Sequence, residues 1–179
     1  MGSYSSEFVS DAEALDALTF RKVGQCGAIC WRIGKDGAVE VLLISSGDTD
    51  YWAIPKGNIH KHELLYRCAQ RHALEKAGVA GRISKTPLGH YTYRKSSPRS
   101  ALTVMVHLLF VESEPRDFQP ESKRRCFWLS ANDAAAHIRE PELQQLIRLI
   151  ADADAPKFVA MIRKTLSGSK ATSRPHGMV

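Results

Sequence analysis

The most informative stretch of the sequence is the segment Trp52–Val79, which reads WAIPKGNIHKHELLYRCAQRHALEKAGV. If its second half is helical, positions 72, 75 and 76 lie within an arc of roughly 100°. That arc carries His72, Glu75 and Lys76, so one carboxylate stands beside two nitrogen-bearing groups. A carboxylate is a ligand for a hard divalent cation, whereas an ammonium group binds anionic oxygens. The segment therefore has the side chains for binding a cation, an anion or both.

The elements around this segment predict a mixed α+β domain. Alternating or β-branched runs predict strands at Arg21–Ile33, Val39–Ile44, Tyr51–Ile54, Ile83–Lys95, Ala101–Glu112 and Cys126–Leu129. Turn-forming residues predict a loop over residues 55–58. Helical spacing and end signals predict helices at His62–Ala77 before Gly78, at Ala131–Ile138 after Ser130, at Glu140–Ala151 and at Pro156–Leu166.

The spacing within the segment is specific. It contains a glycine, five residues, a glutamate, seven residues and an arginine, followed by a glutamate, a glycine and an apolar residue: Gly57, Glu63, Arg71, Glu75, Gly78 and Val79. This order resembles the Nudix box, G-x5-E-x7-R-E-U-x-E-E-x-G-U with U apolar, and the preceding WAIPKG resembles that family's entry strand and loop. The resemblance extends over residues 21–150. It implies the Nudix fold, a mixed β-sheet sandwiched between helices, and a pyrophosphohydrolase that uses Mg2+ or Mn2+.

The resemblance also implies roles for the matching residues. Glu75 is the expected metal ligand and catalytic carboxylate, and the Gly57 carbonyl is a possible second metal contact. Glu63 and Arg71 are expected to form a structural ion pair between loop and helix. The chain departs from the pattern at His72 and Lys76, where the family has glutamates. Magnesium prefers carboxylate oxygens, so the resemblance carries no metal-ligand role to these two positions.

Two alternatives follow from the departures. In the first, His72 acts in catalysis and Lys76 binds phosphates directly, so that hydrolysis of a nucleoside or inositol polyphosphate proceeds with weakened metal dependence. In the second, the chain is a catalytically impaired module that binds a phosphorylated ligand or RNA. An auxiliary carboxylate from outside the helix could come from Glu112, Glu114 or Glu121.

The net charge of +6 favours an anionic partner, and a phosphorylated small molecule is the expected one. Within the family the chain is most similar to diphosphoinositol polyphosphate and diadenosine polyphosphate hydrolases, through LLISS, WAIPKG and the KRR run before a tryptophan. Tyr91 and Tyr93 alternate near the site and either stack on a base or pack against neighbours. The residues expected to bind substrate are Lys56, Lys76, Arg94, Arg124 and Arg125.

The remaining expectations concern organisation and location. We expect a flexible arm at 1–19, the Nudix domain with its C-terminal helices at 20–166, and a disordered tail at 167–179. The four cysteines show no metal-binding spacing and are predicted to be reduced and buried. The apolar runs are too short to span a bilayer, and the N-terminus has no signal-peptide pattern. The expected location is cytoplasmic.

Overall fold

The computed structural model describes residues 23–45, 51–94, 101–114 and 124–151. The expected N-terminal arm, the expected helix at 156–166 and the expected C-terminal tail lie outside these ranges. Within them the helices are α1 Leu65–Ala77, α2 Ala131–His137 and α3 Pro141–Ala151. The strands are β1 Val23–Ile33, β2 Val39–Ser45, β3 Trp52–Ala53, β4 Lys56–Asn58, β5 Ala80–Ile83, β6 Gly89–Arg94, β7 Ala101–Ser113 and β8 Arg125–Ser130.

The strands form one mixed sheet with β1 near its centre. The main path runs β3-β2-β1-β7-β5, while β4 pairs with β1, β6 with β7 and β8 with β2. Strands β1 and β7 are parallel, with Ala28 opposite His107, and every other described pair is antiparallel. The sheet is therefore mixed, as expected.

Helices cover both faces of the sheet. Alternation along β1 directs Cys26, Ala28 and Cys30 towards α1, where they share one buried cluster with Cys68 and Ala69. The other face of β1 and β2 shares a second buried cluster with residues of α2 and α3, including Ile29, Trp31, Leu43, Leu143, Ile147 and Ile150. The predicted α/β/α sandwich is confirmed.

The central helix begins later than the sequence predicts. His62 has a φ of 64°, in the left-handed region that an α-helix excludes, so α1 starts at Leu65. Its end is as predicted. Gly78 has a φ of 65°, and its N–H donates to the Leu74 carbonyl at 2.9 Å.

Two further predictions about elements are wrong. Residues 56–58 form a strand instead of a loop, because Gly57 lies opposite Cys26 in an antiparallel pair. The strand predicted over 83–95 is two strands. Ile83 pairs with Leu109, and Gly89 pairs with Val106. The five residues between Ile83 and Gly89 therefore form a bulge opposite the two residues between Val106 and Leu109. Pro87, within this bulge, has no N–H to offer a ladder.

None of the helices in the described part of the chain is both long and apolar enough to cross a bilayer.

Candidate functional site

A bidentate ion pair fixes the loop after β4 to the middle of α1. Arg71 Nε donates to Glu63 Oε1 at 2.8 Å and Arg71 Nη2 donates to Glu63 Oε2 at 2.8 Å. The His60 N–H also donates to Glu63, and Arg71 Nη2 reaches the Asn58 carbonyl at 3.1 Å. These bonds, chiefly those from Arg71, lower the pKa of Glu63 to about 2. The structure thus brings the expected loop-to-helix pair together.

His72 lies directly against the backbone of Gly57. The imidazole is only 6% exposed, and a Cβ added at Gly57 would collide with its Cε1 and Nε2 atoms. The Nε2–H group donates to the Asn58 carbonyl at 3.1 Å. Nδ1 is buried without a hydrogen bond and lies 3.4 Å from Glu75 Oε2. His72 therefore packs the strand β4 onto α1 and faces the one carboxylate of the arc.

Two thiols lie beneath this loop, which the sequence analysis treated only as core residues. Cys68 Sγ lies 3.5 Å from the Asn58 carbonyl and 3.9 Å from the Gly57 carbonyl. A hydrogen bond between Cys26 and Cys68 raises the pKa of Cys26 and lowers that of Cys68. Cys26, Cys30 and Cys68 are buried as predicted, but the prediction was wrong for Cys126, which is exposed near the start of edge strand β8.

Glu75 is surrounded by nitrogen-bearing groups. Its side chain is 38% exposed, and its Oε2 atom lies 3.2 Å from Arg71 Nη1 as well as 3.4 Å from His72 Nδ1. Lys76 follows it on the same turn of α1. The Oε2 atom is thus already engaged by the Arg71 guanidinium, which competes with a metal cation.

The described residues at this site fit a resident divalent ion poorly. Magnesium takes oxygen ligands at about 2.0–2.1 Å in octahedral geometry. Here the arc offers a single carboxylate, and the Gly57 carbonyl lies against the Cys68 thiol. Within the described ranges no group of three or more His, Cys, Asp or Glu side chains is arranged to hold a metal ion. The donor set therefore lacks the cluster of carboxylates that a tightly held magnesium ion requires.

The two candidate auxiliary glutamates that the structure describes are engaged by arginines. Arg82 Nε donates to Glu112 at 2.6 Å, and Arg32 Nη1 donates to Glu114 at 3.0 Å. The third candidate, Glu121, lies outside the described residues.

Three of the predicted substrate-binding residues line one small cavity of about 100 Å³. Lys56 comes from β4, Lys76 from the last turn of α1, and Arg124 from the residue before β8. Ser45 and Tyr51 add hydroxyl groups to the same wall. A cavity of this size has room for several water molecules or one tetrahedral oxyanion. Its composition suits an anionic group.

A series of side-chain contacts positions Lys56 beside this cavity. Lys56 Nζ lies 4.2 Å above the centroid of the Tyr93 ring. The Tyr93 hydroxyl donates to Gln25 at 2.9 Å, and Gln25 Nε2 donates to Asn58 at 2.8 Å. Tyr91, by contrast, is 1% exposed and packs in the core. Neither tyrosine therefore offers a free platform for a base: one is buried and the other supports a lysine.

Tyr51 links the cavity to the opposite helical layer, a role that the sequence analysis did not assign. Its hydroxyl donates to Glu140 at 2.5 Å, and the Arg139 guanidinium lies 5.6 Å from its ring centroid. Burial and the bond to Glu140 raise the pKa of Tyr51, so it stays a neutral donor. An aromatic residue preceding a short strand gives no sequence signal for this contact.

The other predicted substrate-binding residues do not line the cavity. Arg94 is exposed at the end of β6, opposite Ala101, and Arg125 is exposed at the start of β8, opposite Ser45. The imidazole of His107 is buried and bonded to the Ser84 carbonyl at 2.9 Å, and burial lowers its pKa. It packs within the sheet, away from the three cations.

In this structure a mixed sheet lies between helices, and a Glu–Arg ion pair holds the loop after the glycine-containing strand against the central helix. Together these features define a Nudix-type domain. The model of the NUDIX domain matches residues 25–150, and the chain belongs to the Nudix family. The family assignment confirms the expected class of enzyme, a Nudix-type pyrophosphohydrolase. Nudix hydrolases generally use divalent metal ions.

Curated relatives and solved structures agree with this assignment. The chain is 28% identical over 125 residues to Nudix hydrolase 16, mitochondrial, of Arabidopsis thaliana, covering 63% of this chain and 69% of the relative. It is 28% identical over 171 residues to Nudix hydrolase 13, mitochondrial, of the same plant, covering 83% and 84%. A C. elegans Ap4A hydrolase structure superposes with a TM-score of 0.54 at 23% identity, covering 78% of this chain and 98% of that one. That structure supports the fold.

Proposed function

We propose that this protein hydrolyses a diphosphate linkage in a nucleoside or inositol polyphosphate, with weak dependence on a divalent metal ion. The observation that carries the proposal is the cavity lined by Lys56, Lys76 and Arg124, one residue along the helix from Glu75. A cationic cavity beside a carboxylate suits the cleavage of a phosphoanhydride. The similarity of the fold to a C. elegans Ap4A hydrolase favours the nucleoside polyphosphate.

The proposed chemistry uses groups that the chain itself supplies. Water attacks one phosphorus atom, the bridging P–O bond breaks, and the bridging oxygen leaves on the second phosphate. Glu75 accepts a proton from the attacking water, and the three cations offset the charge that develops on the phosphate oxygens. His72 lies beside Glu75, with Nδ1 3.4 Å from the Glu75 Oε2 atom, while its Nε2–H group remains bonded to the Asn58 carbonyl.

The test is release of phosphate from a panel of nucleoside and inositol polyphosphates, titrated with Mg2+ and with Mn2+, the ions that the family resemblance implies for Glu75 and Gly57. We expect turnover that changes less than about tenfold between chelator and saturating metal. The matched variant is the double substitution His72→Glu and Lys76→Glu, which adds two carboxylates to the arc. It should make turnover strongly dependent on magnesium. No turnover of any substrate with either metal would remove the proposal.

A second candidate is binding of a phosphorylated ligand without turnover. One observation favours it: His72 and Lys76 stand where carboxylates would otherwise complete a metal site. Saturable binding of a polyphosphate together with absent hydrolysis, in the natural protein, would support this candidate over the first. RNA as the ligand has no support of this kind from the described residues.

We also propose a cytoplasmic location. The two plant relatives are named as mitochondrial proteins, and that location is stated of those relatives alone. Microscopy of the full chain fused at its C-terminus to a fluorescent protein tests the proposal, and an organellar pattern would overturn it.

A further inference from the structure

Cations from three separate parts of the chain meet at one cavity. Lys56 lies on the strand before the helix, Lys76 in its last turn, and Arg124 ahead of the strand that pairs with β2. Among the described residues that line the cavity, none is acidic. Lysine and arginine side chains are the common protein partners of phosphate oxygens, and a partly enclosed site strengthens their interaction.

The first of these cations is held in place before any ligand arrives. The Tyr93 ring lies under Lys56 Nζ, and the hydroxyl of Tyr93 is fixed through Gln25 to Asn58. Asn58 in turn accepts bonds from Arg71 and His72 through its carbonyl. A lysine that is already oriented loses less conformational entropy when it binds an anion.

The helix arc supports the same conclusion from the opposite side. Glu75 is the only carboxylate on the arc, and it is paired with Arg71. Lys76, the next residue, lines the cavity. At this position of the arc the cavity therefore meets an amine where the Nudix-box pattern has a carboxylate.

We propose that the cavity of Lys56, Lys76 and Arg124 binds one phosphate group of a diphosphate directly, without a divalent metal ion. The inference deepens the proposed function, on which it rests, by assigning the neutralising role to side chains. The ligand class is a diphosphate, inorganic or organic, in its metal-free form.

The experiment is isothermal titration calorimetry of the full chain with inorganic pyrophosphate in the presence of EDTA, at near-physiological salt. We expect saturable binding that weakens by about tenfold or more in Lys76→Gln. Lys85→Gln is the matched control, because Lys85 is an exposed lysine on the bulge between β5 and β6. It should bind as the natural protein does. Added magnesium should weaken binding, since it sequesters pyrophosphate.

A second pair of variants separates charge from positioning. Tyr93→Phe keeps a ring beneath Lys56 but loses the bond to Gln25, so it should weaken pyrophosphate binding less than Tyr93→Leu, which also loses the cation–π contact and should weaken binding several-fold. Both variants are first checked for a native melting transition.

Several outcomes would overturn the inference. They are absence of saturable binding in EDTA, binding that requires magnesium, and equal losses in Lys76→Gln and Lys85→Gln. Failure of the proposed function is a separate result. Pyrophosphate binding in EDTA together with no hydrolysis leaves this inference standing and removes the hydrolase, whereas metal-dependent hydrolysis without binding in EDTA removes this inference and the weak metal dependence but leaves the hydrolysis itself.

Discussion

The two faces of the sheet are packed by different kinds of side chain. Towards α1 most of the buried residues are small or thiol-bearing, such as Cys26, Ala28, Cys68, Ala69 and Ala73. Towards α2 and α3 most are large and aliphatic or aromatic, such as Trp31, Leu43, Leu143, Ile147 and Ile150. Small residues let backbone segments approach closely, while large ones bury more apolar area, at about 1.5–3 kcal/mol for each fully buried aliphatic side chain.

The two faces therefore have different roles: one positions the candidate site, and the other stabilises the fold. On the α1 face, backbone and side-chain contacts fix the positions of Gly57 and His72, so a small change there displaces the site. On the opposite face the large side chains contribute most of the hydrophobic stabilisation, and those of α3 do not line the cavity. The following predictions test this contrast, beginning with the largest effect.

Removal of a large side chain from the α3 face should cost the most stability. Ile147 is fully buried in α3, and Ile147→Ala should lower the free energy of unfolding by about 2–5 kcal/mol. The measurement is urea unfolding followed by circular dichroism. Below the melting transition, pyrophosphate affinity should be unchanged. Leu149, which is 53% exposed on the same helix, provides the control, since Leu149→Ala should change stability by about 0.5 kcal/mol or less. An equal loss in both variants would contradict the contrast.

Removal of the loop-to-helix ion pair should cost less stability and should also change the dependence on pH. Because the folded pKa of Glu63 is about 2, below its ordinary value of 4.5, the ionised carboxylate stabilises the fold above pH 4.5. That contribution disappears as the pH falls from 4.5 towards 2. Glu63→Gln should lower stability at neutral pH by about 1.5–3 kcal/mol and flatten this part of the acid profile.

The acid profile needs a control for the general effect of losing one carboxylate. Glu142 is exposed on α3, so Glu142→Gln should retain the steep loss of stability below pH 4.5. Chemical unfolding at a series of pH values makes the comparison. A Glu63→Gln variant that keeps the full acid dependence would show that other carboxylates are responsible.

The smallest effect is expected at the contact between Gly57 and His72. A methyl group at Gly57 would collide with the far end of the imidazole, which must shift, so Gly57→Ala should cost about 1–2 kcal/mol. In the background His72→Ala the same substitution should cost less, because the obstruction is gone. Gly24→Ala is the control, since an added Cβ there would meet Leu102 at an ordinary 3.6 Å. Additive losses in the double variant would show that the contact is not the cause.

Sequence patterns within short segments predicted much of the secondary structure. The helix up to Ala77, its Gly78 end and the Ser130 cap of α2 follow from residues close in sequence, and the structure has them. The strand at 56–58 and the bulge opposite β7 were missed because both depend on pairing with residues far away in the chain. Sequence patterns within one segment do not record which strand it will pair with.

The amino-acid sequence by itself determined the charged arc of α1, because helical periodicity fixes which neighbouring residues share a face. The family and the pairing of Glu63 with Arg71 followed from the resemblance of the segment to the Nudix box. Only the tertiary structure decided that Arg124 joins Lys56 and Lys76 at one cavity while Arg94 and Arg125 stay outside. It likewise decided that Tyr93 supports a lysine. These contacts depend on the pairing of strands that are distant in sequence and on the direction in which each side chain leaves the sheet.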